Sequence, residues 1–195
     1  MRAEERVRTH FENTIATQAR AREALSAPVA VAARRLAATL EAGGRILVCG
    51  NGGSASDAQH FAAEFINRFE RERPPLAAIA LTTDTSALTA IGNDYSFDQV
   101  FSKQVEALAR PGDALVAIST SGGSRNVCAA VDAAHGAEAW VLALTGRNGG
   151  ALAAALHAND LELRVPAERT AHIQEVHIVL LHCLCDLVDE QLYPQ

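Results

Sequence analysis

From residue 45 onward the chain alternates short, nearly continuous apolar runs with segments of helical periodicity. The runs are Arg45–Cys49, Ala77–Leu81, Asp113–Ile118, Ala139–Leu144 and Asp160–Val165. Between and after them lie Ser54–Phe69, helical pieces across Ser86–Leu108, Ser124–His135, a short helix Gly150–Leu156 and a long closing helix from about Ala167 to Leu192. Strands that lack polar alternation are apolar on both sides, so they belong in a parallel sheet with helices over each face. The pattern predicts an α/β fold, a doubly wound five-stranded parallel sheet. At 195 residues, 49% of them apolar, one domain spanning residues 1–195 is the simplest organisation.

Two helices are expected ahead of the first strand. Val7, Phe11 and Ile15 recur at i, i+4 from Arg2 to about Leu25. Pro28 then suits the first turn of a second, Ala-rich helix, Val29–Leu40, ended by Gly43-Gly44. Residues 1–42 thus form a helical extension to an α/β sandwich at 43–195. An amphipathic helix outside such a sandwich needs a surface for its apolar stripe, and a second subunit supplies one, so a homo-oligomer is expected.

Composition removes several function classes. Apolar stretches such as Ala77–Leu81 and Ile178–Leu181 fall far short of the roughly 20 residues that cross a bilayer, so no membrane partner is expected. The start Met1-Arg2-Ala3-Glu4-Glu5-Arg6 has no apolar signal region, which predicts a cytoplasmic protein. Cys49, Cys128, Cys183 and Cys185 show no C-x-x-C spacing and read as reduced thiols, Cys183 and Cys185 as core packing. A net charge of −6 provides no field for nucleic acid, and any anion must be held by local groups.

In open α/β sheets ligands bind beyond the carboxyl ends of strands at a switch point, which directs attention to the loops after the first and third strands. The first, Cys49-Gly50-Asn51-Gly52-Gly53-Ser54-Ala55-Ser56-Asp57, lets backbone approach a ligand just before a helix. It fits G-x-G-x-x-A, but Asp84 lies well past the ~20 residues at which a dinucleotide site places its acid. A tight structural turn is the other reading, and no P-loop motif is present. The second, Ile118-Ser119-Thr120-Ser121-Gly122-Gly123-Ser124, offers four hydroxyls and a helix N-terminus without a lysine, a cradle suited to a phosphomonoester. A Ser N-cap alone would account for Ser124 and leave Ser119, Thr120 and Ser121 unexplained.

His60 and Glu64, at i, i+4, put an imidazole and a carboxylate on one helix face, where they can share a metal. The last helix carries His172, Gln174, Glu175, His177 and His182, and spacing alone does not choose among them. His10, His135 and His157 are assigned no role.

Gly50-Asn51-Gly52-Gly53-Ser54, Ile118-Ser119-Thr120-Ser121-Gly122 and the stretch Arg169 to His182 together resemble the sugar isomerase (SIS) domain family, in particular its phosphoheptose isomerases, over nearly the whole chain. The resemblance implies a flavodoxin-like sheet, a cytoplasmic homotetramer with sites near subunit boundaries, and one zinc per subunit on His60, Glu64, Gln174 and His182. It implies substrate contacts at Asn51, Gly52, Gly53, Glu64, Asn93, Asp94, Ser119, Thr120, Ser121, Ser124 and Gln174, with Glu64 and His182 catalytic. The implied reaction converts sedoheptulose 7-phosphate to D-glycero-D-manno-heptose 7-phosphate, the first step of heptose precursor synthesis for lipopolysaccharide. Two positions depart from the pattern: Gly123 stands where these isomerases commonly have Asn, and Ala171 where some carry Asp.

A second resemblance is to non-catalytic SIS tetramers that associate with the bacterial initiator protein DnaA, in Phe65-Ile66-Asn67-Arg68-Phe69-Glu70, Leu184-Cys185-Asp186-Leu187 and the tail Leu192-Tyr193-Pro194. Those relatives lack the carboxylate matching Glu64 and the imidazole matching His182, which favours the enzyme. On the initiator reading Leu192 and Tyr193 are an exposed hot spot; a frayed C-terminus is the plain alternative. A third reading is a SIS module that senses a sugar phosphate without turning it over.

Overall fold

A computed structural model describes residues 2–194. Five strands, β1 (Ile46–Gly50), β2 (Ala78–Ala80), β3 (Ala114–Ile118), β4 (Trp140–Gly146) and β5 (Leu161–Val165), form one all-parallel sheet in the order β2-β1-β3-β4-β5. Alternate strand residues face opposite ways, and in β1, β3 and β4 both sets are buried, whereas edge strand β5 exposes Arg164. Ile46, Val48, Val116, Leu142 and Leu144 pack beneath α1 (Ala3–Glu41), α2 (Gly53–Ile66) and α7 (Thr170–Leu192). Leu47, Cys49, Leu115, Val141 and Ala143 pack under α4 (Ser102–Leu108), α5 (Arg125–Gly136) and α6 (Gly150–Ala155). This is the doubly wound sheet that the apolar runs require. The stretch expected as helical pieces resolves into α3 (Thr85–Asp94), a 3-10 turn (Phe97–Gln99) and α4.

The N-terminal region differs from expectation: α1 is one helix of 39 residues that runs through Pro28, not two helices. Proline has no N–H for the Ala24 carbonyl and normally breaks a helix interior. Here Ala21, Leu25, Val29, Ala32, Ala33 and Leu36 are buried on one side of the proline and the other, so packing on α7 and the sheet holds the axis continuous across the missing bond. The first half of α1 carries Val7, Phe11 and Ile15, the amphipathic stripe, which are 55%, 63% and 67% exposed among the described residues.

α7 is long and apolar enough, by length and composition, to cross a membrane, and half of its most apolar stretch is buried inside the fold. His177 lies fully within it, donating from Nε2 to the Thr145 carbonyl at 3.0 Å. All four cysteines are free; Cys49 and Cys185 are buried, whereas Cys183 is exposed and not part of the core.

Two outcomes follow from these placements. Pro28→Ala restores an interior helix bond and is expected to raise stability by about 1–2 kcal/mol, read from the urea midpoint; a proline at the start of a separate helix would show no such gain. Burial, only partly offset by the Thr145 carbonyl, pulls the His177 pKa down from 6.5 to about 4. The unfolded chain therefore takes up this proton first, and stability falls as pH drops from about 6.5 toward 4. That part of the fall should be missing in His177→Leu when urea midpoints are compared across the same range.

Candidate functional site

Strand order reverses between β1 and β3, and the two loops singled out above leave the carboxyl ends of those neighbouring strands. They meet. A cavity of about 320 Å³ is lined by Asn51, Gly52, Gly53, Ser54, Ser119, Thr120, Ser121 and Ser124, with Thr170 and Gln174 of α7. The Ser119 and Ser124 hydroxyls lie 3.0 Å apart, and Ser121 Oγ accepts from the Gly123 N–H at 3.2 Å. No side chain caps α5, because Ser124 is engaged with Ser119, so the first N–H groups of that helix face the loop. Gly122 has φ +65, and a Cβ there would overlap the Gly149 carbonyl, so glycine is required at this turn.

Asn126 was not legible as a site residue. It is 3% exposed, and its side-chain amide exchanges two hydrogen bonds of 2.8 Å with that of Asn51. This pair ties the first loop to α5 across the switch point. An Asn on a helix carries no pattern that reveals such a partner 75 residues away.

A second group sits where α2 meets α7. His60 Nε2 is 3.0 Å from His182 Nε2 and 3.4 Å from Glu64 Oε1, and the two rings are edge-on at 5.2 Å. Phe69 stacks at a tilt on the other side of His182, 5.5 Å between centroids. Two ring nitrogens at this separation need a proton or a cation between them, since lone pairs repel. Donor atoms about 2 Å from a common zinc ion are themselves about 3–3.4 Å apart; His60 has this spacing to each of its two partners, and two imidazoles with one carboxylate have the donor chemistry zinc takes, but the Glu64 and His182 donor atoms are not drawn together as three-ligand groups elsewhere in the chain are. Gln174 is placed differently. Its amide lies against Gly53 in the cavity wall, and among the described residues it has no hydrogen bond to His60, Glu64 or His182. Asp57, one turn before His60, has a buried Oδ2 without a hydrogen-bond partner among the described residues; burial pushes its pKa up and His60 pulls it partly back.

Asn93 and Asp94 are exposed at the end of α3, bonded to each other at 2.8 Å and outside the cavity. The remaining histidines have partners that spacing did not show. His10 and His172 both contact Glu175, at 2.9 and 3.1 Å, and Thr14 donates to it at 2.7 Å. Burial alone would raise the Glu175 pKa, but the bonds from His172, Thr14 and His10 outweigh it and hold it at about 2. His135 and His157 stack at 3.6 Å beside Asp160. Both groups bring three ligand atoms within 4.8 Å of one another. The tail expected to be exposed is half-buried: Leu192 packs on the core, and the Tyr193 carbonyl accepts from Arg71 at 3.0 Å.

A family model described as the SIS domain matches residues 9–146. The chain belongs to the SIS domain family. Among curated SIS relatives it is 60% identical to a phosphoheptose isomerase of Methylibium petroleiphilum over 97% of this chain and 94% of that protein. It is 56% identical to one of Shewanella loihica over 98% and 97%. Solved structures agree: phosphoheptose isomerase GmhA from Neisseria gonorrhoeae superposes with TM-score 0.93 at 56% identity, covering 97% of this chain and 100% of that one. A phosphoheptose isomerase from Francisella tularensis superposes at 0.95 with 47% identity, with the same coverage.

Gly53→Ala tests the cavity wall. Alanine in a helix is favoured over glycine, so stability should hold or rise by up to about 1 kcal/mol. The new methyl displaces the Gln174 amide, so turnover of sedoheptulose 7-phosphate should fall about tenfold or more while Tm does not.

Proposed function

We propose that this chain is a phosphosugar isomerase that converts sedoheptulose 7-phosphate to D-glycero-D-manno-heptose 7-phosphate, an intramolecular oxidoreduction. The observation that carries the reading is a hydroxyl-lined loop and a His–Glu–His group on one fold, in a chain 56–60% identical over nearly its full length to phosphoheptose isomerases.

The reaction moves one proton from C1 to C2 through an enediol, with proton exchange between the two oxygens. Glu64 is assigned as the base that removes the C1 proton and returns it at C2. His182 protonates O2 as the enediol forms and assists loss of the O1 proton as the aldehyde appears. The 7-phosphate is received by Ser119, Thr120, Ser121 and Ser124 with the N-terminus of α5, where hydroxyls and backbone dipoles replace the basic patch this acidic chain lacks. Asn51, Gly52, Gly53 and Gln174 line the sugar side of the cavity. Fixing one end of the substrate holds the reacting carbons in place, and orientation of this kind contributes to rate.

His60, Glu64 and His182 are the residues that would hold zinc, joined by Gln174 if its amide turns from the cavity wall toward them; the ion would supply Lewis-acid polarisation of the sugar oxygens. The assembly proposed is a cytoplasmic homotetramer, in which the exposed Val7, Phe11 and Ile15 stripe is covered and Asn93 and Asp94 join a site at a subunit boundary. An apolar groove of about 340 Å³ between α1 and α7, lined by Leu25, Val29, Val176, Val179 and Leu180 among others, offers further surface to such contacts. The proposed pathway role is precursor supply for lipopolysaccharide.

Turnover of sedoheptulose 7-phosphate by the purified protein, measured before and after chelation and with zinc restored, tests the assignment. Loss on chelation with recovery by zinc is expected; no turnover in any state of a folded oligomer would return the chain to the sensing or initiator-binding readings. Glu64→Gln should lose turnover by about a hundredfold or more with the oligomer intact. Ser119→Ala and Ser121→Ala should chiefly raise KM, and an unchanged KM in both would place the phosphate elsewhere.

A further inference from the structure

Arg73 belongs to Glu70-Arg71-Glu72-Arg73-Pro74-Pro75, a run with the composition of a solvated turn, yet its side chain is 1% exposed and that of its partner Asp189 is 2%. A guanidinium placed out of water costs several kcal/mol unless its N–H groups are taken up. Here they are. Nε donates to Asp189 Oδ1 at 2.8 Å, Nη2 to the Glu64 carbonyl at 2.8 Å and Nη1 to the Phe65 carbonyl at 2.7 Å. Longer bonds from Nη1 reach the Asn67 and Pro74 carbonyls at 3.3 and 3.2 Å.

The Glu64 and Phe65 carbonyls lie in the last turn of α2, which has no basic residue of its own. Such carbonyls lack intrahelical partners and carry the negative end of the helix dipole, so a planar, charged fork is the group that satisfies several at once. Asp189 stands on α7 seven residues after His182, two turns further along. One guanidinium thus joins the backbone of Glu64 itself to the helix that carries His182. Asp189 Oδ2 is buried with no hydrogen-bond partner among the described residues, so this carboxylate has Arg73 as its charge partner. Cys185 lies in the same neighbourhood: burial first, then the Glu64 and Asp189 carboxylates, push its thiol pKa up.

We propose that Arg73 is a positioning residue for the isomerisation, its fork tying the last turn of α2 to α7 and so setting the Glu64 carboxylate relative to the His182 ring. The inference rests on the assignment of Glu64 and His182 as the reacting pair. A purely structural role would be met equally well by apolar packing, since buried ion pairs exchanged for hydrophobic residues often leave stability unchanged. Positioning would not, because the fork joins the Glu64 carbonyl to Asp189 in one group, whereas the Phe65 carbonyl also accepts from the Leu76 N–H at 3.0 Å.

Two variants of the full chain separate these roles. Arg73→Lys keeps a charge opposite Asp189 but reduces the fork to a point donor. The double variant R73M/D189L removes both charges together. For each, and for the unaltered protein, Tm, kcat and KM for sedoheptulose 7-phosphate, and the zinc Kd by competition with a chromogenic chelator are measured. Expected is a variant with near-native Tm in which kcat falls about tenfold or more, KM stays within about threefold and zinc binds about tenfold more weakly. A variant of native Tm that keeps kcat and zinc affinity within about twofold overturns the proposal. Unfolding of both variants does so too, since Arg73 is then a structural clamp. If the unaltered protein binds zinc without turning over the sugar phosphate, the assigned reaction fails while the ratio of zinc affinities still decides the role of Arg73.

Discussion

The reversal of strand order between β1 and β3 is the constraint on which the site depends. Crossovers between parallel strands are right-handed, so a chain leaving β1 toward β2 and one leaving β3 toward β4 must pass over opposite faces of the sheet. α2 accordingly packs on one face and α5 on the other. The loops that enter them part as they leave neighbouring strands, and the gap between is the cavity. It is held at a set width by the reciprocal amide pair of Asn51 and Asn126 and by the close approach of Gly122 to Gly149. Both helices begin at this gap, so free N–H groups and the positive ends of two dipoles face it without any lysine in the loops.

What lies beside the cavity is controlled by helix packing. His60 and Glu64 ride on α2, His182 and Gln174 on α7, and the distance between the pairs is a property of how those helices dock. Phe61 and Phe65 of α2 and Leu181, Leu184 and Val188 of α7 share one core with the sheet, which gives the docking its energy without directional control. Polar ties supply direction. Arg73 holds the end of α2 to α7 near His182, and the contacts of Glu175 with His10, Thr14 and His172 hold the start of α7 to α1 near Gln174. α7 is thus clamped at both ends of the stretch that carries Gln174 and His182.

The length of α1 has a similar origin. Its second half is buried as part of the core, whereas its first half projects an apolar stripe left exposed among the described residues. Local chemistry at Pro28 argues for a break, and the continuous burial of Leu25 and Val29 around it overrides that preference.

Strand identity, sheet class and both loops at the cavity were legible in the sequence, because the unalternated apolar runs of the first four strands admit one environment, with only the alternating Asp160–Val165 at the edge, and because glycine and hydroxyl clusters after strands have few structural uses. The pairing of His60 with Glu64 was legible from helical spacing alone. Tertiary structure decided the rest. Arg73 and Asn126 look like surface and helix residues until partners 116 and 75 positions away satisfy them. The meeting of His60 with His182, 122 residues apart, likewise depends on two helices being laid side by side. Local sequence encodes which backbone conformation a segment prefers; a buried charge or a shared proton is defined by what the folded chain places opposite it.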